Sequence, residues 1–237
     1  MNQPIWQPAI YEHKAALIKR TPAEVSRSCD RMVAATQAEI ETYQPDSVTV
    51  GLDIYCLEAE ALGATSICPD AKSCPELKDH LFDLDKLPEE WTLPDFDQVG
   101  RFQMMLDAGC RLKEWAGEQT KIRIAATGPV TLAAKLVGIE PLIMSLCLKD
   151  GQAESLLDFT TRLTTGWCAC IRGAGLDGVV FDSMAAPPIF SPALYRLHVL
   201  PLHQQIFTGL EKSGQTEREL VIGGNTTMIA PMLKECG

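Results

Sequence analysis

The sequence predicts a parallel β/α fold. Three observations lead there. Short apolar, β-branched runs such as Gly178-Val-Val-Phe181 and Lys121–Ala126 (KIRIAA) are bounded by turn residues, the pattern of strands buried on both faces. Longer stretches between them repeat apolar residues at helical spacing. Strand and helix candidates alternate along the chain, which favours a parallel sheet over separate α and β regions. Five strands are expected, near 4–10, 47–52, 121–126, 178–181 and 219–223.

Taken in order, Pro4–Ile10 is a short apolar lead-in with two prolines, and Tyr11–Arg20 reads as helical. Thr21-Pro22-Ala23-Glu24 has the form of a capping box with proline in the first helical position. Behind it Val25, Cys29, Met32, Thr36, Ile40 and Tyr43 recur at helical spacing, so one amphipathic helix to about Tyr43 is expected. Gln44-Pro45-Asp46 breaks it, and SVTVGL (47–52) is the next strand. Residues 64–96 are acidic and turn-rich, an excursion rather than a linker, because helical patterns resume on both sides. A helix over Asp97–Gln119 leads into KIRIAA, and helices over Glu140–Lys149 and Gln152–Arg172 lead into the fourth strand. Ser191-Pro192 opens a helix to Leu210, and ELVIGG (219–224) is the last strand.

Composition bounds the function. The chain has 237 residues, 46% hydrophobic and 22% charged, enough for one sizeable core, and 1–237 is read as one domain. It has no apolar run of about eighteen residues that could span a membrane. The N-terminus lacks the basic-then-apolar order of a signal peptide, so the protein is expected in the cytoplasm with no membrane partner. A net charge of -10 argues against generic nucleic-acid binding, which needs basic surface, but leaves a locally basic pocket open. The nine cysteines never form CxxC and are odd in number, which favours reduced thiols over disulfides or zinc.

The chemistry-bearing residues are those at strand carboxyl ends, where β/α folds build their sites. Asp53 closes the second strand candidate. Gly128-Pro129 turns out of the third into a helix carrying Lys135, a turn that lets backbone approach a ligand. Asp182 and Ser183 close the fourth, and Asn225 follows the last. A loop or N-cap role without chemistry is the lesser alternative for Asp53, and Glu58 and Glu60 can be solvated helix charges or caps. His198 and His203 lie within a helix without a companion acid at ligand spacing, and read as surface or core histidines. Cys168 and Cys170, two apart on a helix, point to different sides and are poor candidates for sharing a metal.

Four stretches, in order along the chain, resemble the uroporphyrinogen decarboxylase family: Asp53–Gly63, Gly128–Gly138, FDSMAAPPIFSPALYRLHVLP (181–201) and Gly224–Thr227. The family contains true decarboxylases and corrinoid-linked methyltransferases. The resemblance implies an eight-stranded (β/α) barrel, of which the C-terminal three β/α units have no sequence here. Such barrels run to ~250 residues. The chain is therefore expected to be a fragment, or to have its open edge covered by a second copy as a homodimer. By resemblance Asp53 and Ser183 are the catalytic candidates, and Asp182, Gly128, Lys135 and Asn225 line the substrate.

The stretch EAEALG (58–63) resembles the methyltransferases, and a decarboxylase tyrosine is replaced by Lys135. No arginine occurs in Pro4–Lys14, where decarboxylases carry a paired-arginine motif for their carboxylate-rich substrate. The thiol-directed methyltransferases read H-x-C-G-N-T at the last strand and bind zinc there. Val221 and Gly223 hold those positions in this chain, so no metal site is expected. The leading expectation is a corrinoid-linked methyltransferase without the usual zinc ligands, with methylcobamide as substrate or as a cofactor on a corrinoid protein partner. Uroporphyrinogen decarboxylation is the second reading. A non-catalytic protein that holds a tetrapyrrole or corrinoid is the third.

Overall fold

The structure, a computed structural model, describes residues 5–236. Helices α1 (His13–Leu17), α2 (Pro22–Ser26) and α3 (Cys29–Tyr43) precede strand β1 (Ser47–Val50). After α4 (Leu57–Ala61) comes a small antiparallel pair, β2 (Ser66–Ile67) and β3 (Glu76–Leu77), then α5 (Phe102–Ala116) and β4 (Lys121–Thr127). Helices α6 (Pro129–Val137), α7 (Ile139–Leu148) and α8 (Gln152–Gly173) lead to β5 (Asp177–Phe181). A short α9 (Pro192–Leu194), a π turn over Tyr195–Val199 and α10 (Leu200–Lys212) lead to β6 (Leu220–Val221), and α11 (Ala230–Leu233) follows.

The main sheet is parallel, in the order β1-β4-β5-β6. Its registers pair Ser47 with Lys121, Arg123 with Asp177, and Val180 with Leu220. Side chains alternate between faces along each strand. Val48, Val50, Ile122, Ile124, Ala126 and Val180 join the large core under the helices. The other face carries a smaller cluster of Ala125, Val179 and Phe181 with Ile54, flanked by Tyr11, Tyr55 and Val221. Trp167 on α8 is fully buried and donates from Nε1 to the Ala125 carbonyl at 3.1 Å, which satisfies the indole as it fills the core. The outer edges of β1 and β6 have no strand partner among the described residues, so the sheet does not close.

Several expectations need correction. The strand near 4–10 does not form over residues 5–10, and Pro4 lies outside the described residues. Pro8 removes a ladder donor, and the segment pairs with no strand. It meets Asp46, just before β1, whose N–H donates to the Trp6 carbonyl at 2.9 Å, and Gln7 accepts from the Arg123 side chain of β4 at 3.4 Å. The capping box forms, with the Glu24 N–H donating to Thr21 Oγ1 and the Thr21 N–H to Glu24 Oε2. The expected single helix behind it is two, because Ser28 caps afresh by accepting from the Arg31 N–H. The 97–119 helix is shorter, Phe102–Ala116, bounded by Gly100 and Gly117 at positive φ. The 191–210 helix is broken by the π turn, in which the Leu200 N–H bonds to the Tyr195 carbonyl. Pro201, which has no N–H to give, follows at once.

Among the described residues no single helix is long and apolar enough to cross a membrane. Helices α6 and α7 have the composition only together, and they meet at a bend of 108°.

Candidate functional site

The chain leaves β1 as Gly51-Leu52-Asp53-Ile54-Tyr55 and turns into α4. This passage frames a cavity of 300 Å³ lined by Asp53, Tyr55, Tyr11, Cys56, Cys74 and Lys135 among others. It lies at the carboxyl end of the strands, where a β/α fold gathers its chemistry. A second cavity of 190 Å³ lies lower on the same face, beside Lys14, Glu39, Arg123 and Glu219. There the charges pair among themselves: Lys14 Nζ is 2.7 Å from Glu39, and Arg123 is bonded to Glu219.

Asp53 is buried, and its two oxygens face Arg101, with Nη2 2.5 Å from Oδ2 and Nη1 3.3 Å from Oδ1. The guanidinium also donates from Nε to Glu60 at 2.8 Å and from Nη1 to the Ser26 carbonyl at 2.9 Å. Burial opposes its charge, but Asp53 and Glu60 outweigh that and hold the Arg101 pKa above its ordinary value. For Glu60, burial is overcome by Arg27, Ser66 and Arg101, which hold its carboxyl below the usual range. Asp53 thus presents a carboxylate already neutralised from behind.

Glu58 does something different. It is buried and accepts from the Thr127 N–H and the Thr127 hydroxyl, both at 2.7 Å, tying α4 to the end of β4. Burial pushes its pKa up against those two bonds. Burial also pushes the Cys56 and Cys74 thiols up to about 12, helped by Asp53 and Glu12 respectively, so neither is a ready nucleophile.

Ser183 follows β5, and its hydroxyl is hydrogen-bonded to the Tyr55 hydroxyl. The bond joins the exits of β1 and β5, and Tyr55 carries it to the cavity. Burial raises the Tyr55 pKa, and the Ser183 bond opposes the rise. Lys135 lines the same cavity from α6.

The remaining expected residues lie elsewhere. Asp182 is fully buried; Oδ1 accepts from the Thr131 N–H at 2.7 Å and Oδ2 from His203 Nε2 at 2.9 Å. It caps α6 from outside the helix. A Cβ at Gly128 would lie 2.3 Å from that of Asp182, so the absence of a side chain there makes room for the Asp182 side chain leaving the neighbouring strand. Asn225 is exposed, and its side chain accepts from the Thr227 N–H at 3.1 Å, away from the Asp53 cavity. His203 is buried with an acid companion after all, supplied from 21 residues away in sequence. Arg101 and Tyr55 were not singled out by sequence. Tyr55 stands two residues past a strand-end aspartate, a usable signal. Arg101 carries none, its partner being 48 residues distant.

The zinc pair that the resemblance to thiol-directed methyltransferases raises does not fit the residues at these positions. Val221 lies against the Phe181 cluster, and a Cβ on Gly223 would stand 2.8 Å from the Ser183 carbonyl oxygen. Among the described residues no group of three or more His, Cys, Asp or Glu is placed to hold a metal.

A parallel β/α sheet with polar side chains converging at its strand ends has the architecture in which β/α proteins place their sites. The sequence model of the uroporphyrinogen decarboxylase (URO-D) family matches residues 3–237, and the chain belongs to that family. It is similar to the methylated-thiol–coenzyme M methyltransferase of Methanosarcina mazei, at 26% identity over 63% of this chain and 40% of that one. It is also similar to a methylcobamide:CoM methyltransferase of Methanosarcina barkeri, at 27% identity over 60% of this chain and 41% of that one. These matches span about two fifths of the relatives' length. A solved methyltransferase structure from Methanosarcina mazei superposes over 98% of this chain and 67% of that one, with a TM-score of 0.81 at 23% identity. That likeness establishes the fold.

Proposed function

We propose that the chain is a methyltransferase-type member of the family that takes its methyl group from a corrinoid. The closed eight-stranded barrel, a cytoplasmic location and a corrinoid protein partner belong to the same proposal. The supporting observation in this molecule is the Arg101–Asp53 pair. A decarboxylase needs a free negative charge to face a pyrrole that becomes positive on protonation. Here both carboxylate oxygens are already bonded to a guanidinium. A methyl transfer makes no such demand, because the methyl carbon passes to the acceptor while the electron pair of its cobalt bond stays on cobalt. Similarity to the methylcobamide methyltransferase supports the same reading.

In this arrangement the residues bind and orient. Tyr55 and Ser183 present a hydroxyl donor at the strand ends, Lys135 a cation, and Asp53 a fixed dipole with Arg101 behind it. The thiols of the site stay protonated, so the acceptor comes from the ligand.

The test is anaerobic incubation with methylcobalamin and a thiol, coenzyme M first because the relatives' names carry it. The expected product is the methyl thioether with one cob(I)alamin per methyl moved, seen by absorbance. Turnover of uroporphyrinogen with release of carbon dioxide, and none of methylcobalamin, would return the assignment to the decarboxylases. Binding of either without turnover would favour the carrier reading.

A further inference from the structure

We propose that His203 is a positioning residue for the strand-end hydroxyls: through Asp182 it fixes the loop that holds Ser183 against Tyr55. The inference rests on reading Tyr55 and Ser183 as the ligand-facing pair.

The geometry is a continuous buried relay. Tyr195 and His203 are eight residues apart, roughly 80° out of line on an unbroken α-helix. The π turn at Tyr195–Val199 takes up an extra residue between them, and the Tyr195 hydroxyl reaches His203 Nδ1 at 2.9 Å. The Thr131 N–H points at Asp182 Oδ1 and the Val130 N–H, at 3.4 Å, at Oδ2; a carboxylate accepting on both oxygens assigns the hydrogen of the third bond to His203 Nε2. Nδ1 is then the acceptor of the Tyr195 hydroxyl.

Asp182 and Met184 flank Ser183, and both are held. The Asp182 side chain bonds His203 and the start of α6, and its N–H donates to the Val221 carbonyl at 2.9 Å. The Met184 N–H donates to Thr131 Oγ1 at 3.0 Å, on the same first turn of α6. Gly223 closes the other side, with no room for a Cβ beside the Ser183 carbonyl. Ser183 therefore has one available place, and His203 is the only side chain bonded to Asp182 among the described hydrogen bonds. Loss of that bond leaves the buried carboxylate with only the N–H groups of α6 as donors, so it is drawn onto α6 and shifts Ser183 with it.

The test separates this role from simple filling of space. His203→Gln can keep a donor at the Nε2 position, toward Asp182; His203→Asn can keep only the Nδ1 position, toward Tyr195. The chain has four tyrosines. Tyrosine labelled with carbon-13 at the ζ position gives one titration curve for each, and Tyr55→Phe assigns the relevant one. Ser183→Ala sets the reference: with its hydrogen bond gone, the Tyr55 pKa rises further. His203→Asn is expected to raise it likewise, and His203→Gln to leave it as in the wild type. Equal curves for the Asn and Gln variants, whether both native or both raised, would overturn the proposal. Methylcobalamin affinity is read on the same samples, with about a tenfold loss expected for His203→Asn and native affinity for His203→Gln. If the wild type binds no methylcobalamin, the proposed function fails while the tyrosine curves still decide the role of His203.

Discussion

Arg101 meets Asp53 through both nitrogens of its fork, 2.5 Å and 3.3 Å from the two carboxylate oxygens, in a site where both side chains are largely shielded from water. Such a pair gains little net stability over apolar residues of the same shape, but either half alone is costly. Arg101→Ala is expected to lower stability by about 3–5 kcal/mol, and Asp53→Asn by a comparable amount. Arg101→Met combined with Asp53→Asn should recover only part of the loss, because Glu60 and the Ser26 carbonyl also lose their donor. Urea unfolding measures all three, and an Arg101→Ala variant within ~0.5 kcal/mol of wild type would show that the pair is not closed in solution. Asp53→Asn is consequently a poor probe of catalysis, since it disturbs the fold.

Glu58 gives a pH dependence with a definite sign. Its folded-state pKa is raised by burial, so between the ordinary carboxylate value and the folded value the native chain holds more protons than the unfolded one. Its contribution is full below the ordinary value and is lost as pH rises through the folded pKa. Glu58→Gln keeps an acceptor for the Thr127 N–H and cannot ionise. Its stability relative to wild type should rise with pH across that window. A constant difference over the window, in urea midpoints from acidic to neutral pH, is the contrary result.

Thiol reactivity should sort by position. Cys68, Cys110 and Cys147 are exposed. Cys56 and Cys168 are buried with pKa values pushed up to about 12, and Cys74 shares that rise although it is half-exposed. A maleimide at neutral pH should label the first three quickly and the second three only slowly or on unfolding, as peptide mapping reads. Fast labelling of Cys56 or Cys74 would mean that a thiol of the cavity is available as a nucleophile.

Rebuilding the zinc ligands should fail. Val221→His with Gly223→Cys restores the ligand types, but a side chain at 223 runs into the Ser183 carbonyl. Overpacking of this kind costs about 1–3 kcal/mol. The double variant is expected to be less stable and to bind no stoichiometric zinc at neutral pH. One tightly held zinc per chain would contradict the packing described here.

Much of the fold was legible because its signals are local. The runs at 121–126 and 178–181 became strands, the Thr21–Glu24 box formed, and the Gln152 helix kept its apolar face. The misses have local causes too: Pro8 undoes a strand, Ser28 starts a new helix, and a π turn interrupts the helix before Pro201. At the site, Asp53 and Ser183 were placed by the rule that chemistry gathers at strand ends. What that rule leaves out is which neighbour each side chain finds. Asp182, next to Ser183 in sequence, points the other way because alternation along a strand exit sends it to α6 and His203. Arg101 and His203 act on residues 48 and 21 positions away, and no spacing rule spans such distances.

The most direct measurement is the dissociation constant of methylcobalamin for the wild type and for the Tyr55→Phe/Ser183→Ala double variant, with folding checked by circular dichroism. If the hydroxyl pair at the ends of β1 and β5 holds the corrinoid ligand, the double variant binds at least about tenfold more weakly, roughly the worth of one lost hydrogen bond. Equal affinity in the two proteins, or none in either, would contradict the account.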